Sequence, residues 1–514
     1  MTPAARGRRA PAARRSPVTV LLAVAVAALA LLPLVHIAVA AVDVGWSGVA
    51  ELVFRRRVAD LLGNTLRLVA GAVAVCTVLG VGAAWLVERT ALPGRRGWHV
   101  LLVAPLALPA FVSSSAWISL LPGLDTYGGA LLVVSLAYAP FVYLPAVAAF
   151  RGLDPALEET ARGLGLSSWA VFRRVQLPQL RVAVLGGALL VALHVLAEFG
   201  ALAMLRYPTF TTAVYDQYRA TFNGAAATML AGVLVLLCLV LLLAEIRLRG
   251  ARGYARTGAG AARQPRPVRL GVLTGPALLA LATVVGLALL VPVGALVSWF
   301  ATGTSARVDW AVLAATTGTT LALAAGAAAV TTALALPTGW LAVRRRGPLA
   351  TLLERTTYLG SAVPAIVVAL ALVTVSIRLL PGLYQTVPVL LAAYAVLFLP
   401  RAIVTVRAAV EQSPPVHDDV AASLGVPAPA RLWRVTLPLL APGIGAGRRW
   451  CSWRWSPSSP PRCCSRRPAP RPWRRRSGRP AAPWSTAPPR PTPSSWSCSR
   501  HRPRCSSPAT SDEV

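Results

Sequence analysis

The chain reads ETARGLG over residues 159–165 and, after nine further residues, VQLP over residues 175–178. It reads DVAASLG over residues 419–425 and, again after nine residues, VTLP over residues 435–438. An acidic residue, small helix-forming residues, a glycine and a hydrophobic-x-Leu-Pro sequence therefore recur in register, 260 residues apart. Each pattern lies in a polar stretch between long apolar runs, so the sequence indicates a duplicated loop in a membrane protein.

The composition supports the membrane class. Of the 514 residues 56% are hydrophobic and only 13% are charged, whereas soluble domains contain about 25% charged residues. Apolar runs of about 20 residues, long enough to cross a bilayer, recur along the chain. The net charge of +33 comes from arginine alone, since there is no lysine. Nucleic-acid binding is the rival explanation of that charge, and the hydrophobicity of the chain argues against it.

Ten spanning helices are expected before residue 410, with the N-terminus in the cytoplasm. A signal peptide is the alternative for the first, but its apolar region would be about 7–15 residues long and this run is longer. The arginines fall mainly in the loops that this orientation places inside, as the positive-inside rule requires. The expected spans are 18–42, 66–87, 99–121, 129–150, 182–205, 225–244, 271–299, 311–342, 357–380 and 387–408.

The duplication extends beyond the two loops. Residues 85–86 (WL) match 340–341 and residues 109–110 (PA) match 364–365, both at an offset of 255. An even number of spans in each unit gives both halves the same orientation and places both loops in the cytoplasm, whereas an inverted repeat would place them on opposite faces. The predicted fold is all-α and polytopic, with two parallel repeats of about six transmembrane helices. The predicted organisation is a basic cytoplasmic N-terminus (1–17), a first repeat (18–246), a basic cytoplasmic linker (247–269), an incomplete second repeat (270–447) and a tail (448–514).

Each loop predicts a short helix, a turn and a second helix. Asp154 and Pro155 suit the start of a helix, and Gly165 suits its end, because a residue without Cβ adopts a positive φ. Ser167 or Ser168 can cap the helix that follows. The loops contain no nucleophile–base pair and no metal-ligand spacing, so we interpret them as docking elements. A packed interhelical loop is the alternative, and two occurrences in register favour docking.

The two loops resemble the characteristic cytoplasmic loop of permease subunits in binding-protein-dependent ABC importers. Its pattern is Glu-Ala-Ala, three residues, Gly, nine residues, then Ile-x-Leu-Pro, and in that family its short helix inserts into a cleft on the ATPase subunit. This chain departs from the pattern at Thr160 and Val420, which replace the first Ala, at Asp419, which replaces Glu, and at Val175 and Val435, which replace Ile. The docking residues that the resemblance implies are Glu159, Ala161, Gly165, Leu177, Pro178, Asp419, Ala421, Gly425, Leu437 and Pro438.

Two fused halves of about six spans resemble the branch of these permeases that handles iron(III), thiamine or aminoethylphosphonate. Residues 196–205 (LAEFGALAML) and 207–212 (YPTFTT) are most similar to the iron(III) permeases. The resemblance implies a pore in the bacterial cytoplasmic membrane that receives substrate from an extracytoplasmic binding protein. It also implies a pair of ABC ATPase subunits, which bind the ATP.

The chain itself is not expected to be an enzyme or to hold a cofactor or metal. A Walker sequence requires a lysine, and this chain has none, so ATP hydrolysis must take place in separate subunits. Thiamine or a phosphonate is the alternative cargo. An ion-coupled secondary transporter and a non-transporting membrane scaffold are the alternatives of another class.

Glu198 lies within the fifth expected span. A carboxylate inside a membrane is costly and marks a functional candidate, so Glu198 is a possible pathway residue. A carboxylate paired at a helix interface is the alternative. We expect His36 and His194 to be satisfied within the bundle rather than to bind a ligand.

The composition changes abruptly after Gly447. Residues 448–514 contain 15 Arg, 14 Pro and 14 Ser, and no Leu, Ile, Phe, Tyr or Met. When the last base of each codon is joined to the first two of the next, and Arg codons begin with CG and Ser codons with TC, residues 449–456 become seven consecutive apolar codons. We therefore hypothesise that a frameshift near residue 447 has replaced spans eleven and twelve. The alternatives are a disordered Arg/Pro/Ser-rich tail and a zinc segment with Cys498, His501 and Cys505, which lack a convincing fourth ligand.

Overall fold

The computed structural model describes residues 17–153, 155–219, 223–249, 267–303, 309–344, 347–360, 363–413, 416–427 and 430. Across these ranges the regular structure is helical and no strand forms; the β-type pairing found there is one isolated bridge between Thr90 and Val268. The predicted all-α class is confirmed. The tail from residue 448 onward, with its proposed frameshift, lies outside the described residues.

The first half is built from helices α1 to α12. Their bounds are α1 Pro17–Val53, α2 Arg56–Arg89, α3 Arg95–Val103, α4 Ala110–Leu120, α5 Tyr127–Tyr138, α6 Pro140–Gly152, α7 Pro155–Gly163, α8 Ser168–Val171, α9 Leu177–Ala197, α10 Gly200–Met204, α11 Phe210–Arg219 and α12 Gly224–Arg249. A 3-10 turn at Ala104–Ala107 follows α3, and a π-helical turn at Phe172–Gln176 joins α8 to α9.

The second half begins after the linker and is described as far as the second loop. Its helices are α13 Thr274–Val285, α14 Val291–Thr302, α15 Trp310–Arg344, α16 Pro348–Leu359, α17 Ala365–Leu379, α18 Val387–Gln412 and α19 Val416–Ser423. A π-helical turn at Gly286–Leu290 joins α13 to α14, and a 3-10 turn at Pro381–Leu383 follows α17.

Eight helices of the described residues are long and apolar enough to cross a membrane. A ninth candidate is a bent pair, Arg95–Ala107 and Ala110–Leu120, whose two parts meet at 93°. The chain is therefore a multi-pass membrane protein, as predicted. Three expected spans are not continuous, however: 99–121 is the bent pair, 182–205 is interrupted after Ala197, and 357–380 is divided between α16 and α17.

Two of these interruptions occur at the same place in the two halves. Pro109 precedes α4 with an extended ψ of 136°, and Pro364 precedes α17 with a ψ of 148°. Each proline lacks the N–H that a continuous helix would use. The two prolines are 255 residues apart, which supports the predicted repeat.

The two halves exchange contacts reciprocally. Helix α1 of the first half packs against α15, α16 and α17 of the second half. Helices α13 and α14, which open the second half, pack against α3 and α4 of the first. This exchange is the arrangement that two parallel repeats related by an axis along the membrane normal would adopt.

Helices α2, α6 and α9 form the centre of the first half. They pack closely at two glycines: a Cβ on Gly80 would lie 2.9 Å from the backbone nitrogen of Tyr143, and a Cβ on Gly187 would lie 2.9 Å from the carbonyl oxygen of Phe141. Large fully buried side chains fill the space between them, including those of Leu68, Phe150 and Leu196. This closely packed centre places the ends of α2 and α6 beside the first loop.

Candidate docking surface

The first loop ends its short helix in a left-handed turn. Gly165 has a φ of 82°. Its N–H donates to the carbonyl of Arg162 at 2.9 Å, and the N–H of Leu166 donates to the carbonyl of Ala161 at 3.2 Å. These two bonds are those of a Schellman motif, which satisfies the last carbonyls of the helix. The glycine predicted from the sequence to end the helix therefore does so.

The second loop has the same turn. Gly425 has a φ of 78°, and the N–H of Val426 donates to the carbonyl of Ala421 at 3.1 Å. The donor, the acceptor and the glycine each lie 260 residues after their counterparts in the first loop. The two sequence patterns therefore fold into the same local geometry.

The two loops expose apolar side chains and bury their alanines. Leu164 is 79% exposed and Leu424, its counterpart, is 77% exposed, whereas Ala161 and Ala421 are both buried. Because each leucine directly precedes the left-handed glycine, the turn fixes its position. Further exposed apolar side chains around them are those of Leu157, Trp169, Val416 and Val420. Apolar side chains displayed in this way on a short helix suit a protein partner.

Aromatic contacts fix the second part of the first loop. The hydroxyl of Ser167 accepts from the N–H of Ala170 at 3.3 Å and so caps α8. The rings of Trp169 and Phe172 stack at 5.4 Å, and Phe172 meets Trp85 of α2 edge-on at 5.9 Å. These rings join the loop to the end of α2.

Some of the remaining predicted docking residues have a described position, and others do not. Leu177 begins α9 and Pro178 occupies its first turn, where a missing N–H costs nothing. Glu159 is exposed on α7. Asp419 is described only as part of α19, and Leu437 and Pro438 lie outside the described residues.

A buried ion pair lies beneath the first loop. A terminal nitrogen of Arg89, the last residue of α2, lies 3.0 Å from a carboxylate oxygen of Glu158 in α7. The two side chains are only 4% and 6% exposed. Arg89 also donates to the carbonyl of Phe150 in α6 at 2.9 Å. One guanidinium therefore joins the ends of two spanning helices to the docking helix.

The sequence interpretation missed this pair. The resemblance selects Glu159, but the carboxylate that turns inward is that of its neighbour Glu158. The sequence does single out Arg89, because this arginine ends an apolar span and has a counterpart, Arg344, at the offset of 255 residues. Arg344 likewise ends its helix, α15, and donates to the carbonyl of Ser413 at 2.9 Å. In both halves an arginine thus bonds the backbone at the end of the helix that precedes the loop.

Glu198 serves as a cap for two helices. Its backbone N–H donates to the carbonyl of Val195 at the end of α9, and its carboxylate accepts from the N–H of Ala201 at 2.8 Å at the start of α10. The hydroxyl of Tyr138 donates to the second carboxylate oxygen, and Thr211 donates to the Glu198 carbonyl at 2.7 Å. This geometry explains why the expected fifth span is interrupted here.

Of the two histidines expected to be satisfied within the bundle, His194 is and His36 is not: the Nε2 atom of His36 is buried and has no hydrogen-bond partner among the described residues, so the expectation is wrong for His36. A ring nitrogen of His194 lies 2.7 Å from the carbonyl of Leu190, and its ring packs at 4.2 Å from that of Phe141. Within the described ranges, no group of three or more His, Cys, Asp or Glu side chains has the arrangement of a metal site.

Comparison with known proteins finds one matching family, described as the binding-protein-dependent transport system inner membrane component. It matches residues 76–246 and 335–450. The Fe(3+)-transport system permease protein FbpB 2 of Haemophilus influenzae is 36% identical over 422 residues, which cover 81% of this chain and 83% of that protein. The probable ABC transporter permease protein y4fN of Sinorhizobium fredii is 26% identical over 453 residues, with 77% of each chain covered. The sulfate transport system permease protein CysW of Synechococcus elongatus is 27% identical over 245 residues, which cover 42% of this chain and 84% of that protein.

Proposed function

The chain belongs to the family of binding-protein-dependent transport system inner membrane components, and from this premise we propose that it forms the pore of an ABC importer for iron(III). It is a multi-pass inner-membrane transport subunit and not itself an enzyme. The family implies an ATPase and a substrate-binding protein as partners. Two assignments go beyond what the family implies: the identity of the cargo and the residues that contact the ATPase.

The paired loops support the assignment of the ATPase contacts. We propose that each loop binds one ATPase subunit and that Leu164 and Leu424 enter the two interfaces. The support is that both leucines precede a left-handed glycine in the same turn and are more than three-quarters exposed. The matching turns carry this proposal, because a packed interhelical loop would have no reason to expose the same leucine twice.

The docking proposal is tested by co-purification of the ABC ATPase with a variant that carries both Leu164→Asp and Leu424→Asp. Burial of a leucine side chain stabilises an interface by about 1.5–3 kcal/mol. Each interface loses one such contact, so the binding of each ATPase subunit weakens by at least about 1.5 kcal/mol, or roughly tenfold. The matched control is the Leu164→Met and Leu424→Met variant, which keeps the apolar area. Undiminished co-purification with the Asp variant would show that the leucines are not in the interface.

Iron(III) is proposed as cargo because of the similarity to FbpB 2 over most of both chains. The similarity to the sulfate permease covers less than half of this chain. Uptake of radioactive ferric iron, sulfate, thiamine and aminoethylphosphonate by cells that express the complete importer tests the choice. Uptake of another substrate in place of iron would reject the cargo and leave the docking proposal intact.

A further inference from the structure

A large cavity lies between two helices of the second half. It has a volume of about 640 Å³ and lies between α15 and α18. We call it the α15–α18 groove and define it by its lining residues: Thr320, Leu323, Ala324, Ala327, Ala328, Thr331, Thr332, Tyr394, Phe398, Arg401, Ala402 and Thr405.

The first half contains the counterparts of these two helices, with a third helix packed against both. At an offset of 260, α18 (387–412) corresponds to residues 127–152, which are α5 and α6. At an offset of 255, α15 corresponds to α2. In the first half, α9 packs against both α2 and α6. The counterpart of α9 would therefore occupy the α15–α18 groove.

The burial of equivalent residues differs in the way that a missing helix would produce. Leu68 and Val69 of α2 are buried, at 0% and 5% exposure. Their counterparts at the offset of 255 are Leu323, which is only half-buried, and Ala324, which is exposed. Both counterparts line the groove. The face that is covered in the first half is thus open in the second.

The sequence identifies the segment that belongs there. Residues 437–447 (LPLLAPGIGAG) are the counterpart of residues 177–187 (LPQLRVAVLGG), which begin α9. Gly447 corresponds to Gly187, whose Cβ would lie 2.9 Å from Val142 Cα. The counterpart of Val142 at the offset of 260 is Ala402, a residue of the groove. A helix beginning at Leu437 would therefore bring Gly447 onto Ala402.

The chain carries only the first part of such a helix. Residues 437–447 are 11 residues and would extend about 16 Å as a helix, roughly half of the hydrocarbon thickness of a bilayer. They are followed by Arg448 and Arg449. The second family match ends at residue 450, whereas the first continues to residue 246, the counterpart of residue 506. Sequence similarity therefore stops in the middle of the expected helix.

We propose that the α15–α18 groove is the binding site of an eleventh span that begins at Leu437, and that this chain supplies only the first half of it. Residues 437–447 lie at the cytoplasmic end of the groove with Gly447 against Ala402. The half that would cover Leu323 and Ala324 is encoded in the alternative reading frame after codon 447. This proposal concerns the assembly of the bundle and does not depend on the cargo or on ATPase docking.

Disulfide cross-linking in membranes tests the placement of Gly447. The variant carries Ala402→Cys and Gly447→Cys, replaces the five cysteines of the tail by serine and has a protease site inserted after Val426. The matched control carries Val142→Cys and Gly187→Cys with the protease site after Gly165. We expect oxidation to hold the two proteolytic fragments together in both variants. A cross-link in the control but not in the 402–447 variant would overturn the proposal.

Correction of the reading frame tests the missing half. One nucleotide inserted after codon 447 sets the alternative frame, and a chain that ends at Gly447 is the control. We expect the corrected chain in detergent to have a midpoint of heat denaturation above those of both the present chain and the control, because the groove is filled. A midpoint equal to that of the control, or a stop codon within the first few dozen corrected codons, would overturn the proposal.

Discussion

Removal of the Glu158 carboxylate is the perturbation whose effect follows most directly from the structure. In Glu158→Ala, the Arg89 guanidinium keeps its bond to the Phe150 carbonyl but loses the carboxylate that lies 3.0 Å away. Both side chains are more than nine-tenths buried, so solvent cannot replace the lost partner. Breaking a buried ion pair in this way costs about 3–5 kcal/mol.

The cost should fall on the attachment of the docking helix, because Glu158 belongs to α7 and Arg89 to α2. A tenfold change in an equilibrium constant corresponds to about 1.4 kcal/mol. A loss of about 3–5 kcal/mol therefore raises the detached population of α7 by roughly 100-fold to 1,000-fold or more. Local opening of this kind is reported by amide hydrogen exchange.

The assay is hydrogen exchange measured by mass spectrometry on peptides that cover α7 and, separately, α19. We expect amide exchange in α7 to accelerate by about two to three orders of magnitude in Glu158→Ala, while α19 exchanges as before. Glu159→Ala is the matched control, because it removes a carboxylate from the next, exposed position of the same helix. Arg89→Met combined with Glu158→Leu removes both charges and should restore slow exchange, since an apolar pair can replace a buried ion pair.

Two results would refute this reasoning. Unchanged exchange in α7 of Glu158→Ala would mean that the ion pair does not hold the helix. Equal acceleration in α7 and α19 would mean that the substitution destabilises the whole bundle rather than one loop.

Three further predictions concern single positions. Gly165→Val forces a β-branched side chain to a φ of 82°, which costs roughly 1–2 kcal/mol, so we expect it to reduce co-purification of the ATPase. Gly163→Ala is the control and should leave co-purification unchanged, because there is open space around its Cβ. Equal losses from both variants would contradict the role of the turn. Gly187→Leu places a Cβ 2.9 Å from the carbonyl oxygen of Phe141, so we expect it to lower the stability of the protein by at least about 1–3 kcal/mol. The measurement is the midpoint of heat denaturation, which should fall. An unchanged midpoint would show that α9 does not pack against α6 at Gly187. Glu198→Gln keeps an acceptor for the N–H of Ala201, so we expect a normal yield of folded protein. If the carboxylate is a pathway residue, iron uptake by this variant should be reduced. Full uptake would reject the pathway role and leave helix capping as the role of Glu198.

The local geometry of the two loops could be predicted from the sequence. Gly165 and Gly425 were expected to end helices, and both have the required positive φ. The turn follows from local chemistry, because only a residue without Cβ adopts this conformation at little cost. The polytopic class was equally accessible, since runs of about 20 apolar residues leave few alternatives.

Features that depend on tertiary packing could not be predicted in the same way. Glu158 and Glu159 are adjacent and chemically equivalent, and only the position of α2 decides which of them meets Arg89. The break after Ala197 was missed because the residues on both sides of Glu198 are apolar, so hydropathy continues across it. Pro109 and Pro364 were recognised as a matching pair, yet the spans containing them were predicted as continuous, because a bundle can accommodate proline within a helix.

The central claim is that both loops bind an ABC ATPase, and cross-linking from each loop tests it most directly. Leu164→Cys and Leu424→Cys variants, each with the tail cysteines replaced by serine, are treated in membranes with a short bifunctional thiol reagent in the presence of the ATPase that co-purifies with the chain. The account predicts an adduct of the chain with the ATPase from both variants. Absence of the adduct from either variant would contradict it.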